Sequence, residues 1–279
     1  MAGSSSAAAL RRLSAAVVVV LAVAVLAGCA ASAPPDAAAL PRYYEIGDLV
    51  KAVAAQQRAD QTARLSLRGE ITGLGAEEPI RFTGDGVLRV AADAVSLKFT
   101  QVVTRRGSPP QETGFVVLPD AVYLRLPHEA GKRRDKPWVR VDPSGTHQDD
   151  RVLASLADTL AASAEPMSSL ARYADATLVT DAADDLVDGA PAVRYTIVVD
   201  LARAAMLESD EQRRAQLEHQ VRSGLNRVTS RLWLDAAGRP VRSDVRQELP
   251  GIGMLAITGS YRGWGQPVEI APPAPSQVR

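Results

Sequence analysis

The chain has 279 residues, 32 basic and 32 acidic side chains and a formal net charge of zero, so no global field draws it to nucleic acid. Aromatic residues make up 4 % of it, too few for the stacking platforms that bind bases or sugars, and its interior must be chiefly aliphatic. The single cysteine, Cys29, has no partner within the chain, which excludes an internal disulfide framework.

At the start, Arg11 and Arg12 precede an apolar run from Leu13 to Val25, and the small residues Ala27 and Gly28 stand before Cys29. A basic region, a short apolar core and small residues before a cut are the marks of a secretory signal, so residues 1–28 read as a signal peptide. The run is short for a membrane span, which takes roughly 20 residues. An ordinary signal peptide, or an uncleaved anchor with a free thiol, is the other reading of the same residues. Residues 29–41, rich in Ala, Ser and Pro, bury too little apolar surface to offset their ordering entropy and read as a flexible tether.

Ile46, Leu49, Val50, Val53 and Ala54 then recur at helical intervals, with Asp48, Lys51, Gln56 and Gln57 on other faces. This spacing predicts an amphipathic helix ending near Thr62. The period next drops to two: Leu65, Leu67, Gly69 and Ile71 alternate with Ser66, Arg68 and Glu70, a strand with one buried face. A turn from Gly73 to Glu78 leads to Ile80, Arg81 and Phe82, and Gly84-Asp85-Gly86 predicts a bulge or tight turn before Val87 to Val90. Val95, Leu97 and Phe99 alternate again. Phe115 to Leu118 and Val122 to Leu126 flank a hairpin turn at Pro119-Asp120, and Trp138 to Val141 closes the first half.

Asp149 and Asp150 can cap a helix carrying Val152, Leu153, Leu156 and Leu160, and Pro166 opens another with Met167, Leu170 and Ala174. Strands are predicted at Ala176 to Val179 and Val193 to Val199. Between them Asp181, Asp184, Asp185 and Asp188 miss the ligand spacing of a calcium loop and read as a solvated turn. Leu201 to Leu225 is highly charged and predicts one long solvated helix along a sheet edge. Val228 to Leu234, Val241 to Leu249 and Met254 to Tyr261 resume the meander, and residues 271–279 read as a loose tail.

This order predicts an α+β fold: one strongly curved antiparallel sheet, a half-barrel, with helices covering its concave face, as a single domain over residues 42–270. A concave face of that breadth is hard to fill with so few large side chains. Phe82, Leu97, Phe99, Phe115, Val117, Leu156, Leu160, Met167 and Leu170 are the candidate cavity lining. The other reading is that they form a filled core.

Signals for catalysis are weak. No nucleophile elbow, S-x-x-K or H-E-x-x-H motif is present. His147 with Asp149 and Asp150 reads as a loop with a helix cap, and neither His128 nor His219 has metal-ligand spacing. Gly251 to Ala256 matches G-x-G-x-x-A as a string, but strand-like residues follow where a dinucleotide site needs a helix. The expectation is a protein that is not an enzyme, with no metal and no cofactor. Lys132, Arg133 and Arg134, close to Trp138, read as a solvated hairpin loop or as a site for an anionic lipid headgroup.

Leu26-Ala27-Gly28-Cys29 resembles the lipobox of bacterial lipoproteins, in which the thiol receives a diacylglyceryl group and the new amino terminus is often acylated, for instance with palmitate. Together with Cys29, Val122 to Pro127, Lys136 to Val141, Val187 to Tyr195, Leu232 to Val241 and Tyr261 to Val268 resemble the actinobacterial LppX/LprAFG lipoproteins, relatives in shape of the LolA/LolB carriers. The resemblance implies lipidation at Cys29, a place on the outer face of the cell membrane, and an apolar cavity for an acylated lipid or glycolipid. It implies membrane contact through the anchor, raises a membrane transporter as a further partner, and supplies no catalytic residue. A sensor or regulatory lipoprotein with the same fold and no transported ligand is the alternative.

Overall fold

The computed structural model describes residues 40–73, 78–91, 94–125, 136–141, 166–251 and 253–279. Helix α1 (Ile46–Asp60) is followed by β1 (Thr62–Gly73), β2 (Ile80–Val90), β3 (Val95–Thr104), β4 (Gln111–Leu118), β5 (Ala121–Arg125) and β6 (Trp138–Val141). The second half runs α2 (Pro166–Arg172), a 3-10 turn (Ala174–Ala176), β7 (Thr177–Val187), β8 (Ala190–Asp200), α3 (Leu201–Leu207) and α4 (Glu211–Arg222). It ends with β9 (Arg227–Asp235), β10 (Pro240–Leu249), β11 (Gly253–Arg262) and a second 3-10 turn (Pro275–Gln277).

All eleven strands form one antiparallel sheet in the order β6-β5-β4-β3-β2-β1-β11-β10-β9-β8-β7. The two meanders join where β1 pairs β11, from Arg64 opposite Arg262 to Gly73 opposite Gly253. The sheet is curved and stays open, because β6 and β7 at its ends have no strand partner in each other. Successive side chains alternate faces, so the register carries each apolar set across the sheet. Ala63, Leu65 and Leu67 of β1 share a face with Leu88, Leu97, Phe99, Phe115, Leu124 and Val141, all buried. The same face continues through Tyr261 to Leu232, Leu234, Val193, Tyr195 and Ile197. On β1 the opposite face is polar and shows Arg64, Ser66, Arg68 and Glu70.

Burial on the apolar face falls into two clusters. The first holds the β1 to β6 residues with Tyr261. In the second, Ile46, Leu49 and Val53 of α1 and Met167 and Leu170 of α2 pack on Val193, Tyr195, Ile197, Leu232 and Leu234. Asp60 at the end of α1 accepts two hydrogen bonds of 2.8 Å from Arg239 in the β9–β10 turn, tying the helix to the sheet. That guanidinium holds the Asp60 carboxyl below the usual carboxylate range.

Several sequence expectations are corrected. Gly84 and Gly86 lie in uninterrupted pairing within β2, with no bulge or turn. A methyl group at Gly69 would overlap the Phe82 ring, and one at Gly84 would overlap that of Phe99, so the glycines make room for rings laid flat on the sheet. Asp181, Asp184 and Asp185 belong to edge strand β7, whose register shifts between Val179 and Asp181, and an acidic, irregular edge resists pairing with another chain. The long helix expected from Leu201 is two helices, because Asp200 and Asp210 each cap one by accepting from Arg203 and Arg213 N–H. Residues read as a loose tail form the Pro275–Gln277 turn, and Val278 bridges Trp138 in parallel. The Arg279 N–H donates to the Trp138 carbonyl at 2.9 Å, which satisfies part of the β6 edge. Leu40 and Tyr43, ahead of α1, pack on the second cluster.

Candidate ligand-binding face

Pairing register divides the apolar face along the strands into a closed end and a half-open end. Near the start of β1 the face is closed: Ala63, Leu88 and Leu124 are fully buried, and Leu97 and Phe115 expose 1 % each. Toward the β1–β2 and β10–β11 hairpins the same face carries Ile71, Ile80, Phe82, Val103, Val245, Leu255 and Ile257, all half-buried. These residues are neighbours: Ile71 pairs Ile80 and Leu255, Gly69 pairs Phe82 and Ile257, Phe82 pairs Val103, and Ile257 pairs Val245. An apolar surface shared by five adjacent strands and left partly open to water is a candidate site for a hydrophobic partner.

Five of the expected lining residues are brought together by the first cluster. Phe82 and Val117 remain half-buried, while Leu97, Phe99 and Phe115 pack with at most 3 % exposure and present no surface to a ligand in this structure. Met167 and Leu170 lie in the second cluster, against the α1 and β8–β9 side chains. Leu156, Leu160, Lys132, Arg133, Arg134 and Cys29 lie outside the described residues. Sequence reasoning missed Ile71, Ile80, Val103, Val245, Leu255 and Ile257 as a group. Alternation was visible in each strand, but the pairing of β1 with β11 that joins them was not.

A second opening of about 370 Å³ lies between α1 and the β8–β9 part of the sheet, lined by Pro41, Tyr43, Ala52, Ala55, Gln56, Val193, Leu234 and the turn from Asp235 to Gly238. Ala52 and Ala55 leave room where larger side chains would fill it. Tyr195, fully buried, donates its hydroxyl to the Pro41 carbonyl at 3.1 Å, and burial pushes its phenol upward.

The most perturbed carboxylate is away from both openings. Glu208, between α3 and α4, accepts from the Tyr173 hydroxyl at 2.5 Å, the Asp210 N–H at 2.9 Å and Arg213 Nε at 3.2 Å. Led by the Tyr173 hydrogen bond, these contacts lower its pKa from 4.5 to about 2 against the opposing effect of burial. The network fastens the α3–α4 turn to the segment after α2. Among the described residues no group of three His, Cys, Asp or Glu is placed to hold a metal ion, and no helix is long and apolar enough to cross a membrane.

No family model and no curated protein matches the chain. Among solved structures it is similar to LprF from Mycobacterium bovis, at 13 % identity over 82 % of this chain and 97 % of that one, with a TM-score of 0.42. It is also similar to a LolA superfamily protein from Nitrosomonas europaea, at 8 % identity over 79 % and 93 % with a TM-score of 0.29. A DUF1329 family protein from Desulfovibrio piger gives 11 % identity over 79 % and 92 %, again with a TM-score of 0.29. LprF and the LolA protein fall in the groups that the sequence motifs resemble.

Proposed function

We propose that this chain is an extracytoplasmic lipoprotein, anchored through Cys29, that binds the acyl part of a lipid or glycolipid on the apolar face of its sheet and carries it through the cell envelope. The observation that supports this most is the half-open patch of Ile71, Ile80, Phe82, Val103, Val245, Leu255 and Ile257, continuous with a closed apolar core. Moving about ten methylenes from water onto such a surface contributes about 8 kcal/mol before the cost of ordering the chain is subtracted. The protein works by binding and release; no bond is made or broken and no cofactor is needed. A membrane transporter is the natural source or recipient of the ligand.

Purification of the protein from its native envelope, solvent extraction and mass spectrometry test the reading. A lipid present at about one per protein is expected. An empty protein that instead retains a membrane protein partner through purification would replace the carrier with the sensor or regulator.

A further inference from the structure

The polar face of the sheet carries a groove of about 340 Å³ that crosses four strands directly behind the half-open apolar patch. Its floor is backbone, because the side chains of Phe82, Ile257 and Val245 point to the apolar side and Gly69 has none. Two cross-strand rows form its walls. One runs Arg81, Glu70, Ala256, Arg246; the other runs Thr83, Arg68, Thr258, Asp244, with Arg242 beyond it.

Charge in this groove is unbalanced although the whole chain is neutral: four arginines face two carboxylates. Asp244 is already engaged by Arg242, which donates to it from Nε at 3.1 Å and Nη2 at 2.9 Å. Glu70 lies 3.9 Å from Arg81. Arg68 and Arg246 have no carboxylate partner among the described residues. Arg242 is also held from its other side, 5.0 Å over the Trp233 ring, whose indole N–H donates to Asp185 at 3.0 Å. One wall of the groove is thus a guanidinium fixed before any ligand arrives, with the unengaged Arg246 on the same strand, the unengaged Arg68 two strands away on β1, and the Thr258 hydroxyl on β11 between them.

Planar guanidinium forks match the oxygens of phosphate in pairs, and a groove walled by four arginines and two threonines suits phosphate groups better than a hydrocarbon chain, which would take those charges out of water without pairing them. We propose that it is a phosphate-binding site, for a phosphomonoester or diphosphate group, distinct from the apolar patch on the opposite face. The phosphate could come from a soluble compound or from a lipid headgroup, and the recognising chemistry is the same.

Calorimetric titration of the full-length protein in nonionic micelles, with Trp233 fluorescence as a second readout, tests the site. The probes are inorganic pyrophosphate, dihexanoyl phosphatidic acid and dihexanoyl phosphatidylcholine. Saturable binding of pyrophosphate and phosphatidic acid supports a general phosphate site, and binding of phosphatidic acid alone supports the headgroup. Binding of neither, or equal binding of phosphatidylcholine, overturns the proposal. The Arg68→Gln/Arg246→Gln variant is expected to weaken binding about tenfold or more, with Arg68→Lys/Arg246→Lys recovering part of the loss. Arg222→Gln/Arg227→Gln removes the same charge elsewhere and is expected to change nothing. An equal loss in that control, or none in the groove variant, overturns the assignment.

Discussion

The cluster on β1 to β6 keeps its aromatic rings flat against the sheet, over Gly69, Gly84 and Gly86, and no helix among the described residues contributes to it. The cluster on β8 and β9 is roofed by α1 and α2, which bring Ile46, Leu49, Val53, Met167 and Leu170 down onto it. Both bury aliphatic and aromatic surface of the same kind, yet one closes by shape matching within the sheet and the other by docking of separate elements. The first kind of closure is sensitive to the volume of every neighbour; the second depends on what holds the helices down.

That difference can be broken by mutation. Phe99→Ala empties a site with 3 % exposure and is expected to cost about 3–5 kcal/mol in urea unfolding, lowering cooperative stability of the whole sheet. Leu49→Ala removes a fully buried α1 residue and is expected to cost about 2–4 kcal/mol, with hydrogen exchange rising first in α1. Uniform loss of protection through β1 to β6 in that variant would erase the distinction. Gly84→Ala puts a methyl group into the Phe99 ring and is expected to cost about 1–3 kcal/mol, part of it recovered by adding Phe99→Leu. Strict additivity of the two changes would show that the ring and the glycine do not share space.

Two smaller effects sharpen the helical side of the comparison. Asp60→Asn weakens the pair with Arg239 and is expected to cost about 1–2 kcal/mol, seen as faster exchange in α1. For Glu208 the folded pKa of about 2 lies below the ordinary 4.5, so its contribution is present above pH 4.5 and is lost as the pH falls toward 2. Urea midpoints measured from pH 5 to pH 2 are expected to fall more steeply in the native chain than in Glu208→Gln. Parallel slopes would remove Glu208 from the acid response.

Much of this arrangement was legible in the residues. Strict alternation in Leu65 to Ile71 and in Val193 to Val199 marked β1 and β8, and the helical spacing of Ile46 to Val53 marked α1 to within two residues of its end. What failed did so for physical reasons. Glycine usually weakens a strand, so Gly84-Asp85-Gly86 read as a turn until the Phe99 ring that replaces the missing side chains was in view. Acidic residues usually mark loops, but on the solvent-facing edge strand β7 they have Arg42, Arg194 and Trp233 as partners. The arginine groove was invisible because Arg68 and Arg246 are 178 positions apart in the chain and come to line one groove only through the β1–β11 and β10–β11 pairings.

The claim that the half-open end of the apolar face holds a hydrophobic ligand is tested most directly by fluorescence titration with cis-parinaric acid. Comparison with Ile71→Ser/Ile257→Ser then reads the patch, and Leu178→Ser, which changes an exposed residue on the other face of β7, serves as control. Saturable binding at about one per chain, weakened about tenfold or more in the double variant and unchanged in the control, is the predicted result. Absence of saturable binding, or equal affinity in all three proteins, would contradict it.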